Sequence, residues 1–251
     1  MDICFCVPAR YESTRLPYKL LLPINKLSCI QNTIIQIKKS KYYNDNIYVF
    51  TDDDIIQEHL KNYNCNIFLT SKDCLNGSER ISKNINLINK CYKYIVNIQA
   101  DEPFVSEKNI DYAIEKHIEN NCKNVFYTTL HEQNNSEDYL KSSASIKLTT
   151  NINNNVLYYS RNIIPWNKKN EIQKNYIYKT FTGIYVYNRD KIELFKDMDN
   201  TKLQIHEDCE QLKILEYGYN IKSYPTINYN EISLNNNEDY QYLLNKYSLD
   251  N

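Results

Sequence analysis

Within the first 120 residues, four short apolar runs alternate with segments whose apolar residues recur at helical spacing. This alternation constrains the fold more than any other feature of the chain. The runs are residues 3–7, 47–51, 66–69 and 94–98. Between and after them, Ile30, Ile34 and Ile37 mark one helix, residues 55–63 a second and residues 78–88 a third. A fourth spans 106–119, with Ser106 as N-cap and Ile110, Ala113, Ile114 and Ile118 on one face. Short strands that alternate with helices predict an α/β layer built on a mainly parallel sheet. In such sheets ligands bind beyond the carboxyl ends of the strands. The polar loops after the first, second and fourth runs are therefore the places to look for a site.

From residue 127 the rhythm changes. Residues 145–149 and 155–160 read as antiparallel strands joined by an Asn-rich turn, and 184–187 as another strand. Residues 205–217 read as a helix closed by Gly218, 221–224 as a late strand and 238–247 as a final helix. No linker rich in Pro, Gly or Ser and no repeat interrupts the chain. The expected organisation is one domain over 1–251 with an inserted β segment at roughly 142–200.

Composition removes several function classes. The chain has 30 Lys and Arg against 31 Asp and Glu, which argues against broad nucleic-acid binding, since that rests on a basic face. Only three glycines are present, and neither G-x-G-x-x-G nor G-x-x-x-x-G-K-[ST] occurs, which disfavours dinucleotide oxidoreductases and P-loop enzymes. No run approaches the ~20 apolar residues that span a bilayer. No basic segment followed by an apolar one opens the chain, so a cytoplasmic protein is expected. The eight cysteines form no C-x-x-C pair and read as reduced, small apolar residues. The four histidines show no i, i+4 pairing that would favour zinc.

Three stretches carry chemistry. After the first run, V-P-A-R-Y-E-S-T-R-L-P-Y-K at 7–19 places Arg10, Arg15 and Lys19 on one loop, with Pro8 expected to end the strand. Three cations there suit a polyanion such as a triphosphate; a solvated basic loop accounts for them equally well. Asp101, after the fourth run, is a hard oxygen donor suited to Mg²⁺, which bridges one or two carboxylates to substrate phosphates; Asp-Glu-Pro also suits a simple turn. Asp52, Asp53 and Asp54 fit either the cap of the next helix or the metal carboxylates of a glycosyltransferase.

Together these segments resemble the 3-deoxy-manno-octulosonate (Kdo) cytidylyltransferases. The likeness runs nearly end to end, through P-A-R-Y-E-S-T-R-L-P at 8–17 with Lys19, N-G-S-E-R at 76–80 and V-N-I-Q-A-D-E-P at 96–103. It continues in Y-Y-S-R-N-I-I-P-W at 158–166, G-I-Y at 183–185 and E-x-x-E-Q-L at 207–212. The resemblance implies a nucleotide-diphospho-sugar-transferase-like (Rossmann-like) α/β fold, with the inserted antiparallel β segment forming the contact of a homodimer. It implies Mg²⁺-dependent transfer from CTP to a sugar acid, with release of pyrophosphate. By position, Arg10, Arg15 and Lys19 would hold the triphosphate. Ala9, Gly77, Ser78, Arg80 and Gln99 would belong to the nucleotide pocket and Asp101 would bind Mg²⁺. Arg161, Trp166, Tyr185, Glu210 and Gln211 would form the sugar-acid pocket.

Four departures from the family pattern stand out. Tyr18 and Ala100 replace glycines, and a tyrosine at 18 implies a backbone that does not need positive φ. Asn235 occupies the place of a second metal-binding aspartate, with an oxygen donor but no charge, so metal affinity is expected to fall. Phe181 replaces a sugar-pocket histidine, which leaves open a related acid such as 8-amino-Kdo. A non-catalytic nucleotide-binding relative is the alternative from a different class.

Overall fold

The computed structural model describes residues 2–120, 123–169, 171–228 and 232–247. In chain order its elements are β1 (Ile3–Ala9), β2 (Pro23–Ile24), β3 (Leu27–Ser28), α1 (Cys29–Lys38), β4 (Ile47–Thr51), α2 (Asp54–Leu60), β5 (Asn66–Leu69), α3 (Gly77–Lys83), β6 (Tyr94–Ile98) and α4 (Glu107–Glu119). There follow β7 (Val125–Asn134), α5 (Glu137–Lys141), β8 (Lys147–Thr150), β9 (Val156–Ser160), β10 (Tyr178–Asn188), α6 (Arg189–Phe195), α7 (Lys202–Glu207), α8 (Glu210–Glu216), β11 (Asn220–Pro225) and α9 (Asn237–Tyr247). The main sheet runs β11-β7-β10-β6-β1-β4-β5, with β8 bridging β10 to β9. Strands β6, β1, β4 and β5 are parallel, as are β11 and β7, and β10 lies antiparallel between β6 and β7.

Strand β1 is buried along its whole length because both faces of the sheet are covered. Ile3, Phe5 and Val7 join a cluster with Ile30, Ile34 and Ile37 of α1 and Ile110 and Ala113 of α4. Burying each isoleucine of α1 contributes about 1.5–3 kcal/mol. Cys4 and Cys6 face the other layer, among Tyr48, Phe50, Ile81 and Ile192. They serve there as small apolar residues, and burial pushes the Cys6 thiol well above its ordinary value. Cys122 lies outside the described residues. The expected caps hold: Ser106 accepts from the Lys108 N–H, and Asp53 accepts from the Ile55 N–H at 2.9 Å.

Several boundaries differ from the sequence reading. Pro8 does not end β1, which stays in register with β4 to Ala9↔Thr51. Pairing with β6 stops at Cys6↔Asn97, so the donor that Pro8 lacks falls where that ladder has already finished. Strand β7, ten residues long, and helices α5 and α6 arise where no regular element was expected. The helix expected over 78–88 stops at Lys83, and a 3-10 turn at Ile85–Leu87 follows it. The helix expected over 205–217 is two helices broken at Asp208, whose φ is 47°. Gly218 closes α8 as expected, at φ 81°. Among the described residues no helix is long and apolar enough to cross a membrane.

Candidate active site

The loops after β1 and β6, the start of α3 and the corner between α7 and α8 surround a cavity of about 560 Å³. Arg10, Arg15, Lys19, Gly77, Arg80, Gln99, Asp101, Arg161, Tyr185, Glu210 and Gln211 all line it. Ala9 is buried at the end of β1, Ser78 lies just behind the wall, and Trp166, 53% exposed, and Asn235 do not line it.

The basic loop is shaped by one strained residue. Tyr18 sits in the left-handed region, at φ 55° and ψ 26°, contrary to the expectation that a tyrosine there avoids positive φ. Its carbonyl accepts from the Leu21 N–H at 2.9 Å, and its ring packs on Tyr11 at 4.9 Å between centroids. With only three glycines in the chain, seven non-glycine residues among those described take this conformation, five of them Asn or Asp. The turn at Tyr18 sends Lys19 inward, where its ammonium pairs with the Asp101 carboxylate. Arg10 and Arg15 remain exposed at the cavity mouth. Asp101 is anchored from behind, since the Leu234 N–H donates to its carbonyl at 2.8 Å. Asn235 is thereby held one residue from that tie, while its side-chain amide donates to the Ser233 carbonyl at 3.3 Å.

Arg80 is committed elsewhere. Its guanidinium donates to Asp52 at 3.0 Å, to the Thr70 hydroxyl at 2.6 Å and to the Ser71 carbonyl at 3.2 Å. Asp52 also accepts from the Tyr11 N–H at 2.9 Å, so this buried pair ties together the loops after β1, β4 and β5. Asp53 caps α2, and Asp52, one of the two carboxylates that a glycosyltransferase Asp-x-Asp site would use together with Asp54, is already engaged by Arg80. Gly77 is required by close approach: a Cβ there would lie 2.9 Å from the Pro8 ring and 3.1 Å from Gln99 Nε2.

Glu207, quoted in the motif without a role, organises the next wall. It accepts from the Ser160 hydroxyl at 2.9 Å and the Arg161 N–H at 2.8 Å. Arg161 donates in turn to the carbonyls of Glu207, Ser143 and Asp208 and to the Asp208 carboxylate. A guanidinium has five N–H donors, so most of this one's capacity is already used within the protein. Gln211 donates to the Tyr185 hydroxyl at 3.0 Å, and Phe181 packs edge-on against Tyr159 and Tyr185 outside the cavity lining.

Glu210 accepts from the Ser78 hydroxyl at 2.9 Å and the Ser78 N–H at 3.3 Å, and so joins α8 to α3. Burial pushes its carboxyl from the ordinary 4.5 up to about 7, although both Ser78 donors pull it down. The folded protein thus keeps a proton here that the unfolded chain loses, and stability from this group falls as pH rises from 4.5 to about 7. His117 and His131, lowered by burial to about 4 and about 3, act in the opposite sense. Glu210→Gln should remove the decline that belongs to Glu210. Measured by urea unfolding at several pH values, the variant should gain on the native protein as pH rises to about 7. Parallel curves for the two would contradict this.

Comparisons with known proteins identify the family. A family model described as Cytidylyltransferase matches residues 4–223. A 3-deoxy-manno-octulosonate cytidylyltransferase of Protochlamydia amoebophila is 35% identical over 218 residues, covering 86% of this chain and 83% of its own length. An 8-amino-3,8-dideoxy-manno-octulosonate cytidylyltransferase of Shewanella baltica is 32% identical over 223 residues, covering 88% and 89%. A solved structure of CMP:2-keto-3-deoxy-manno-octonic acid synthetase complexed with CTP superposes with a TM-score of 0.86 over 99% of both chains at 20% identity, and so shares the fold. With that match over most of its length, the chain belongs to the cytidylyltransferase family.

Proposed function

We propose that the protein transfers the cytidylyl group of CTP to the anomeric 2-hydroxyl of Kdo, forming CMP-Kdo and pyrophosphate. The observation that carries this reading is the shared cavity, which holds Arg10, Arg15, Lys19 and Asp101 together with Arg161, Tyr185, Glu210 and Gln211. Attack of the hydroxyl oxygen on the α-phosphorus forms one P–O bond and breaks the bond to the β-phosphate. The protein's task is to neutralise charge on the departing pyrophosphate and to align the hydroxyl. Arg10, Arg15 and Lys19 supply the cations, and Gly77 and Gln99 border the space for the nucleoside.

Asp101 would hold a magnesium ion, which when bound supplies charge neutralisation on the triphosphate. The donor set fits: a hard oxygen that already carries an internal cation, and a substrate that brings its own phosphate oxygens. Among the described residues no cluster of three or more His, Cys, Asp or Glu forms a dedicated metal cage. The protein works as a cytoplasmic homodimer in this reading, with the exposed Ile152 and Leu157 on the β8–β9 hairpin as candidates for the subunit contact. Pyrophosphate release from CTP and Mg²⁺, assayed with Kdo, its 8-amino analogue and other 2-keto sugar acids, tests it. Release with Kdo is expected; release only with the amino sugar would move the assignment to that substrate, and CTP binding without turnover would refute catalysis.

A further inference from the structure

The geometry points to a second role for Lys19: it occupies the metal seat of Asp101 until a triphosphate draws it away. The inference rests on the function proposed above and deepens it. Both partners are held in place. Lys19 follows the left-handed Tyr18, and its own N–H donates to the Leu16 carbonyl at 3.3 Å. On the other side, the Ala100 carbonyl accepts from the Thr33 hydroxyl at 3.0 Å and the Asp101 carbonyl from the Leu234 N–H at 2.8 Å. The loops that meet here are 82 residues apart in sequence. The side chains of Lys19 and Asp101 are only 14% and 22% exposed, whereas Arg10 and Arg15 face solvent.

An ammonium is a compact cation with three donors on a flexible stem. A divalent ion that competes for the same carboxylate meets that charge at close range, where the repulsion is strong. Triphosphate oxygens offer Lys19 a more highly charged partner a short swing away. Their arrival frees the carboxylate, so nucleotide and metal promote each other's binding, as linkage requires. Lys19 is thus a phosphate ligand in the loaded protein and an internal counter-ion in the empty one.

Titration of the nucleotide-free protein with Mn²⁺, followed by electron paramagnetic resonance, tests this without turnover. Lys19→Met and Lys19→Gln should each bind Mn²⁺ about tenfold more tightly than the native protein, within the usual range of site coupling. Asp101→Asn should bind it more weakly. Arg15→Met removes the same charge from the cavity mouth and should change affinity by less than about twofold, as screened exposed charges do. Native affinity in both Lys19 variants, with Asp101→Asn still weakened, would overturn the counter-ion role and leave the metal assignment standing. An equal gain in Arg15→Met would reduce the effect to general charge and overturn it too. If Asp101→Asn binds Mn²⁺ like the native protein with and without CTP, the metal assignment itself fails.

Discussion

Asp101→Asn is expected to lower kcat/KM for pyrophosphate release by about 10³-fold, the scale seen when one group that stabilises developing charge is removed. The substitution keeps the size of the side chain and the backbone tie to Leu234, so the loop after β6 should hold its course. It removes the negative charge that faces Lys19 and, in the proposed mechanism, the protein's ligand for magnesium. Most of the loss should appear in kcat, because charge on the leaving pyrophosphate grows toward the transition state. Steady-state kinetics at saturating CTP and Mg²⁺ measures it, beside a thermal melt that reports the fold. A loss below about tenfold in a normally folded variant would remove Asp101 from the centre of the reaction.

Arg80→Met should have the largest effect on stability. Arg80 and Asp52 are 3% and 6% exposed, and truncating Arg80 leaves the Asp52 charge buried, with the Tyr11 N–H still donating to it. Breaking such a pair costs about 3–5 kcal/mol, and for a chain of this size that lowers the melting temperature by roughly 6–20 °C. The double variant Arg80→Met/Asp52→Leu should recover part of the loss, since it leaves no orphaned charge. The resemblance implies that Arg80 touches the nucleotide, and the experiment separates the two roles. A native melting temperature with weakened CTP affinity would make Arg80 a ligand; a large melting shift makes it the brace that holds the site's loops together.

Much of the architecture was legible because local chemistry writes it. Ile3 to Val7 has to be buried on both faces, and Ser106, Asp53 and Gly218 mark helix ends by hydrogen bonding or by a positive φ that glycine tolerates. The cations of the first loop and Asp101 were legible as residue types, and their meeting in one cavity follows from the rule that ligands bind at the carboxyl ends of parallel strands. Strand β7 was missed because its neighbours on both sides, β10 and β11, come much later in the chain. The helix read over 205–217 hid its break because Asp208 takes up a left-handed conformation that composition does not announce.

Most helix and strand positions of the first 120 residues, the caps and the cationic character of the first loop were determined by the sequence alone, because periodicity, capping and charge act over a few residues. Only the tertiary structure decided which charge meets which. Lys19 pairs with Asp101 across 82 residues, Glu210 with Ser78 across 132, and Arg80 with Asp52 and not with the cavity alone. Those choices depend on the order of strands in the sheet and on two left-handed turns, at Tyr18 and Asp208. Partner choice is governed by distance and burial, and neither exists until the chain has packed.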